Sequence, residues 1–201
     1  MRKLTEAEEF LLRNWRDVER LQETVASVRE MLLSQVETAL PSRSWWVSSF
    51  EPPTRYESIG DVAVHKKQWV LGKGKWNHVC FGVWSLTPEF LLGDTDDPPT
   101  GYVWVESLRD RRAAFNRQFK KFAKYSQARW KSLGLEDFES DDSDYPVSLK
   151  MKRSPEQWLG LLQSGHYVEE VCKVFDRLAQ FVDPIDRALA ALQGSVARKK
   201  R

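Results

Sequence analysis

The densest run of charge in the chain lies between Leu108 and Leu135, where nine lysine and arginine residues accompany a single acidic residue, Asp110. Several of these cations recur at steps of three and four residues, which places them on one side of an α-helix. Cations one helical turn apart can neutralise successive phosphates of a nucleic-acid backbone and release its counterions. The candidate nucleic-acid-binding residues are Arg109, Arg112, Arg117, Lys120, Lys121, Lys124, Arg129 and Lys131.

Two other interpretations of this helix stay open. Its positive side could contact the acidic surface of a protein partner, or it could simply be a solvated face. An acidic segment follows at once, and it could neutralise the helix, compete with an incoming polyanion, dock a basic partner or remain a solvating loop. Its acidic residues are Glu136, Asp137, Glu139, Asp141, Asp142 and Asp144.

Aromatic residues form the second group with chemical potential, since six of the nine tryptophans fall between Trp45 and Trp104. Alternation along a predicted strand places His78 and Trp84 on one face, and Tyr102 shares a face with Trp104 on another strand. These four residues could line a ligand pocket or a base-stacking surface. Alternatively they fill the core, and Gly82 admits a neighbouring ring. Both faces of the strand are apolar, so both are expected to be covered.

Sequence signatures of catalysis are missing. No Asp or Glu is followed two positions later by Lys, and the chain has neither a Gly-x-Ser-x-Gly elbow nor a phosphate loop. His65, His78 and His166 share no metal-ligand spacing, and there is no Cys-x-x-Cys. We therefore predict no catalytic residue, no metal and no cofactor, and we favour a non-enzymatic role.

The segment before Pro41 is predicted to be one long helix over residues 5–39. Thr5 and Glu8 form a capping box, because each side chain can satisfy the free amide of the other residue. Apolar residues then recur in heptads, which is typical either of packing against another helix of the chain or of a coiled coil between chains. The a positions are Leu4, Leu11, Val18, Val25 and Leu32, and the d positions are Ala7, Asn14, Leu21, Val28 and Gln35.

The middle of the chain is predicted to form a sheet, because hairpin-like turns join segments rich in aromatic and β-branched residues. The predicted strands are Trp45–Phe50, Asp61–His65, Trp69–Leu71 paired with Trp76–Leu86, and Tyr102–Glu106. Three helices follow: the basic one is capped by Ser107 and stopped by Gly134, another opens at Ser154-Pro155, and the last restarts at Asp183-Pro184.

The predicted fold is α+β, with a long N-terminal heptad helix, a four- to five-stranded, mainly antiparallel, Trp-rich sheet and three C-terminal helices. The segments are 1–41 for the N-terminal helix, 42–107 for the sheet, 108–135 for the basic helix, 136–153 for the acidic loop and connector, 154–193 for C-terminal helices that pack with the N-terminal helix, and 194–201 for a basic tail.

Composition limits the classes of protein to consider. The net charge is only +2, so attraction to nucleic acid must come from local charge. Two cysteines make no disulfide framework, no signal sequence is evident and no run of 18 apolar residues occurs, so we expect a cytoplasmic protein without membrane contact. The leading hypothesis is a non-catalytic nucleic-acid-binding accessory protein, which would be a homodimer if the N-terminal helix forms a coiled coil between chains. The alternatives are a protein-interaction module, acting as inhibitor, scaffold or complex subunit, and an enzyme or small-ligand binder at the Trp-lined face.

Overall fold

The computed structural model describes residues 4–56, 60–71, 78–93, 98–106, 109–124, 131–132, 134–135 and 144–198. They form a mixed α+β fold with a five-stranded antiparallel sheet, whose strands lie side by side in chain order. The predicted fold class is therefore confirmed. The strands are β1 (Thr54–Tyr56), β2 (Asp61–Val64), β3 (His78–Trp84), β4 (Thr100–Glu106) and β5 (Val147–Lys150). The helices are α1 (Glu6–Arg13), α2 (Trp15–Ala39), α3 (Pro88–Leu92), α4 (Arg109–Ala123), α5 (Pro155–Gln163), α6 (Tyr167–Leu178) and α7 (Val182–Arg198).

The N-terminal helix differs from its prediction at one residue. The capping box is present, because Thr5 Oγ1 accepts from the amide of Glu8 at 3.3 Å and Glu8 Oε2 accepts from the amide of Thr5 at 2.7 Å. The single helix predicted over 5–39, however, is interrupted at Asn14, where φ is −112° and ψ is 23°. Asn14 Nδ2 donates to the carbonyl of Phe10 at 2.8 Å, a local side-chain bond of the kind that competes with a regular helix.

The first predicted strand, Trp45–Phe50, is wrong, because turns occupy the segment and only Phe50 makes a bridge, to Lys66. A strand would send successive tryptophans to opposite faces. Here the rings of Trp45 and Trp46 lie 5.7 Å apart, and Trp45 Nε1 donates to Asp176 of α6 at 2.8 Å. Packing against a helix has therefore prevailed over β propensity.

The main core lies between one face of the sheet and the helices. β3 contributes Val79, Phe81 and Val83 to this face, and α6 lies across β3 and β4. The rings of Phe81 and Phe175 approach to 6.2 Å. Gly101 of β4 permits this packing, since a Cβ atom there would stand 2.5 Å from a methyl group of Val174.

Helix α4 packs against α7 at the edge of this core. Phe119 lies 5.8 Å from Phe181, and the guanidinium of Arg187 covers the ring of Phe122 at 4.5 Å. The helix ends at Ala123 rather than continuing through residue 133, and Lys124 adopts a left-handed conformation with φ of 52°. In the part of the chain that the structure describes, no helix is both long enough and apolar enough to cross a membrane.

Candidate nucleic-acid interface

The buried side of α4 fixes how the helix presents its cations. Phe115 and Phe119 are fully buried and stacked with their rings 5.6 Å apart, and Ala123 is buried one turn later. These residues step by four along the helix, so they form one stripe toward α7 and the core. The opposite side of α4 must therefore face outward.

Four of the predicted binding residues occupy that outward side, namely Arg117, Lys120, Lys121 and Lys124, called here the outer row. At 100° per residue, Arg117, Lys120 and Lys121 fall within about 100° of the helix circumference, and Lys124 is the first residue after the helix. Arg117, Lys121 and Lys124 are exposed, and Lys120 is half-buried.

Arg111 and Arg112 lie outside the outer row, nearer the buried side. Arg112 forms an ion pair with Asp144, and the carbonyl of Asp144 accepts from the amide of Val105 at 2.8 Å. Arg111 donates to the carbonyl of Leu71 at 3.4 Å. Both guanidinium groups therefore tie the start of α4 to segments that adjoin the sheet, so Arg112 differs in its role from the outer row with which the sequence grouped it.

A cavity of about 390 Å³ lies beside α4, and its described lining residues are Ala113, Asn116, Arg117 and Lys120. Asn116 is only 3% exposed. Two cationic side chains and one amide around a single cavity make a suitable environment for an anionic oxygen group such as a phosphate. The cavity is therefore next to the outer row, two of whose residues, Arg117 and Lys120, line it.

The remaining predicted binding residues are distributed differently. Arg109 is the first residue of α4, and Lys131 is exposed on a separate helical turn that Gly134 follows with φ of +65°. α4 ends at Ala123 and residues 125–130 lie outside the described residues, so Lys131 is not counted in the outer row. Arg129 and residues 136–143 of the acidic segment lie outside the described residues.

The structure brings all four residues of the predicted aromatic face together. The register pairs Cys80 with Trp104 and Gly82 with Tyr102, so His78, Trp84, Tyr102 and Trp104 share the sheet face opposite the main core. Trp84 stacks on Tyr102 with centroids 4.9 Å apart, and His78 meets Trp104 edge-on at 5.7 Å. Tyr102 is buried, whereas the two tryptophans are half-buried. The face is therefore a small second cluster, to which Tyr56 and Tyr145 also belong.

Sequence reasoning missed the carboxylate at the centre of this cluster. The hydroxyl of Tyr102 donates to Asp61, with 2.7 Å to each carboxylate oxygen, by reaching across β3 above Gly82. Asp61 is 3% exposed, and burial raises its pKa to about 7, although the hydrogen bond from Tyr102 opposes the shift. Asp61 and Tyr102 are 41 positions apart and meet only because of the strand register. The one feature of the sequence that pointed to this contact was Gly82, which was predicted to admit a neighbouring ring.

Comparisons with known proteins and a search for metal sites add no further assignment. The chain matches no protein-family model, no curated protein and no solved structure. Among the described residues, no group of three or more His, Cys, Asp or Glu side chains is arranged to hold a metal ion.

Proposed function

We propose that the protein binds nucleic acid without catalysing a reaction, and that the outer row of α4 contacts the phosphate backbone. The observation that carries this proposal is the division of α4 into two sides. Phe115 and Phe119 are completely buried, while Arg117, Lys121 and Lys124 are exposed on the far side. A helix anchored in this way holds its cations in a fixed row, so their positive potential adds at one surface.

The dimensions of the outer row suit a phosphate backbone. Arg117 to Lys124 spans about 10 Å along the helix axis, at 1.5 Å per residue. One strand of a nucleic acid presents a phosphate about every 3.4 Å along the duplex axis, so the row can reach about three of them. The adjoining cavity, lined by Arg117, Lys120 and Asn116, supplies a recess in which one phosphate could be held more closely.

Charge reversal tests the proposal directly. In the triple variant Lys120→Glu, Lys121→Glu, Lys124→Glu, we expect affinity for nucleic acid to fall by roughly 100-fold or more, because three attractive contacts become repulsive. Fluorescence anisotropy with labelled single-stranded DNA, duplex DNA and RNA, at low and at moderate salt, measures the loss. The preferred polymer identifies the class of nucleic acid.

A matched control carries the same change in net charge at scattered sites. Arg16, Lys67 and Lys152 are exposed on α2, after β2 and after β5, away from the outer row. The variant Arg16→Glu, Lys67→Glu, Lys152→Glu should keep most of the affinity. Equal losses in the two triple variants, or wild-type protein that binds none of the polymers at low salt, would contradict the proposal and favour an acidic protein surface as the partner of α4.

A further inference from the structure

We infer that the N-terminal helices α1 and α2 form an antiparallel coiled coil with a second copy of this chain. The inference is independent of nucleic-acid binding and rests on a different surface. Its starting point is the exposure of large apolar side chains along α1 and the first half of α2. The most exposed are Leu21 at 65%, Phe10 at 63%, Leu12 at 61% and Trp15 at 54%. Leu4, Leu11 and Val25 are also exposed, and α1 has no buried residue.

Four of these seven side chains, Leu4, Leu11, Leu21 and Val25, lie at heptad a and d positions, and the same stripe is buried further along α2. The heptad positions of Leu4, Leu11, Val18 and Val25 lead to Leu32, which is completely buried with Leu33 and Val36 in the main core. The last turns of α2 thus pack the stripe against their own molecule. The preceding part, from residue 4 to residue 25 and about 32 Å long, keeps Leu4, Leu11, Leu21 and Val25 exposed, whereas Val28 already packs against the core.

An apolar stripe of this extent is typical of an interaction surface. Contiguous exposed patches of several hundred Å² on a monomer usually mark binding sites, whereas scattered single side chains do not. Burying the aliphatic side chains of the stripe against a second apolar surface would stabilise the assembly. A heptad pattern with apolar a and d positions specifically favours another helix with the same pattern.

The position of the core selects the orientation. In a parallel pair, residue 32 of the second helix would lie beside Leu32, where the core of the first molecule already covers the stripe. In an antiparallel pair, the second helix lies only along residues 4–28, and each core stands beyond the N-terminal end of the other helix. Only the antiparallel pair avoids a clash between the two cores.

The antiparallel register is self-complementary over this length. Ala7 then faces Val25 of the second copy, Leu11 faces Leu21, and Asn14 faces Val18, each layer occurring twice by symmetry. Leu4 lies beside Val28, which already packs against the core of the second copy. The symmetry axis passes near residue 16, so Trp15 approaches Trp15 of the second copy. Burial of Asn14 is tolerated, because its Nδ2 already donates to the carbonyl of Phe10.

Sedimentation equilibrium of the full chain tests the assembly. We expect wild type to be a dimer and Leu21→Asp to be a folded monomer. Leu21 is exposed in the monomer, so the substitution should not disturb folding, but in the dimer it would place a charge in the interface. Leu12→Asp is the matched control, since Leu12 is equally exposed but lies off the stripe, and it should remain dimeric. A monomeric wild type, or equal dissociation of the two variants, would overturn the inference.

Disulfide crosslinking tests the orientation and does not depend on the folding of Leu21→Asp. Chains carrying Leu11→Cys and Leu21→Cys should crosslink when mixed, because these residues face each other, and neither should crosslink alone. The native Cys80 and Cys172 are buried, so wild type serves as the blank. Efficient crosslinking of Leu11→Cys with itself, or no crosslinking in the mixture, would overturn the antiparallel pairing.

Discussion

Asp61 is an unusual residue of this fold, because a carboxyl group lies almost completely buried on a sheet face whose other members are largely aromatic. Its described hydrogen-bond partner is the hydroxyl of Tyr102, which is itself buried and stacked by Trp84. Burial disfavours the charged form of Asp61, which is why its pKa rises to about 7. Burial and the neighbouring carboxylate raise the pKa of Tyr102 as well, so the tyrosine stays protonated and continues to donate.

The raised pKa makes folding stability depend on pH. The folded state holds the Asp61 proton more tightly than the unfolded chain, whose aspartates titrate near about 3.9. Protonated Asp61 therefore contributes its full stabilisation of the folded state below about pH 4, and this contribution is lost as the pH rises toward 7. Asp61→Asn copies the neutral form and should remove this loss, so that the variant exceeds wild type in stability at pH 8 by about 1–3 kcal/mol.

Urea unfolding between pH 5 and pH 8 measures this difference. Asp183→Asn provides the control, because Asp183 is exposed at the start of α7 and its change should leave the pH profile of wild type unaltered. If the stability of Asp61→Asn and of wild type changed with pH in the same way, Asp61 would already be charged in the folded protein at pH 5, contrary to the expectation.

At the scale of elements, the central strands depend on a close approach at Gly82. A Cβ atom at this position of β3 would stand 2.5 Å from the carbonyl oxygen of Val62 and 2.7 Å from the hydroxyl of Tyr102. The first neighbour is backbone and the second is held by Asp61, so neither moves easily. Gly82→Ala should therefore destabilise the protein by roughly 1–3 kcal/mol.

Gly160 of α5 offers a control of opposite sign. A Cβ atom there meets nothing within 4 Å, and Ala is the better helix former by about 1 kcal/mol. Thermal unfolding should accordingly place Gly82→Ala below wild type and Gly160→Ala above it. A Gly82→Ala variant as stable as wild type would mean that β2 can shift away from β3.

The elements that could be predicted from the sequence are those with strong local signals. The capping residues Thr5 and Ser154 each begin a helix, and alternation in β3 and β4 assigned both faces correctly. The edge strands β1 and β5 were missed because they contain only three and four residues, and pairing with β2 and β4 rather than composition defines them. Likewise, helical spacing predicted the outer row, but the contact of Arg112 with Asp144 depends on how α4 meets the sheet.

At the scale of the whole molecule, charge and apolar surface are separated. The cations of the outer row lie on the outward side of α4, which packs against α7 with its other side. The exposed apolar stripe lies on α1 and the first half of α2. The net charge of +2 therefore conceals a local positive surface. If the chain dimerises as inferred, each particle carries two outer rows, and a polymer long enough to meet both would bind with higher apparent affinity.

The central claim is that the outer row contacts phosphates, and the salt dependence of binding tests it most directly. We would measure the affinity for the preferred polymer across a range of salt concentrations, for wild type and for Arg117→Ala, Lys120→Ala, Lys121→Ala, Lys124→Ala. For duplex DNA, the plot of log affinity against log salt should become shallower by about 3 in slope, since each of about three lost phosphate contacts contributes about 0.9. An unchanged slope in the quadruple variant would contradict the account.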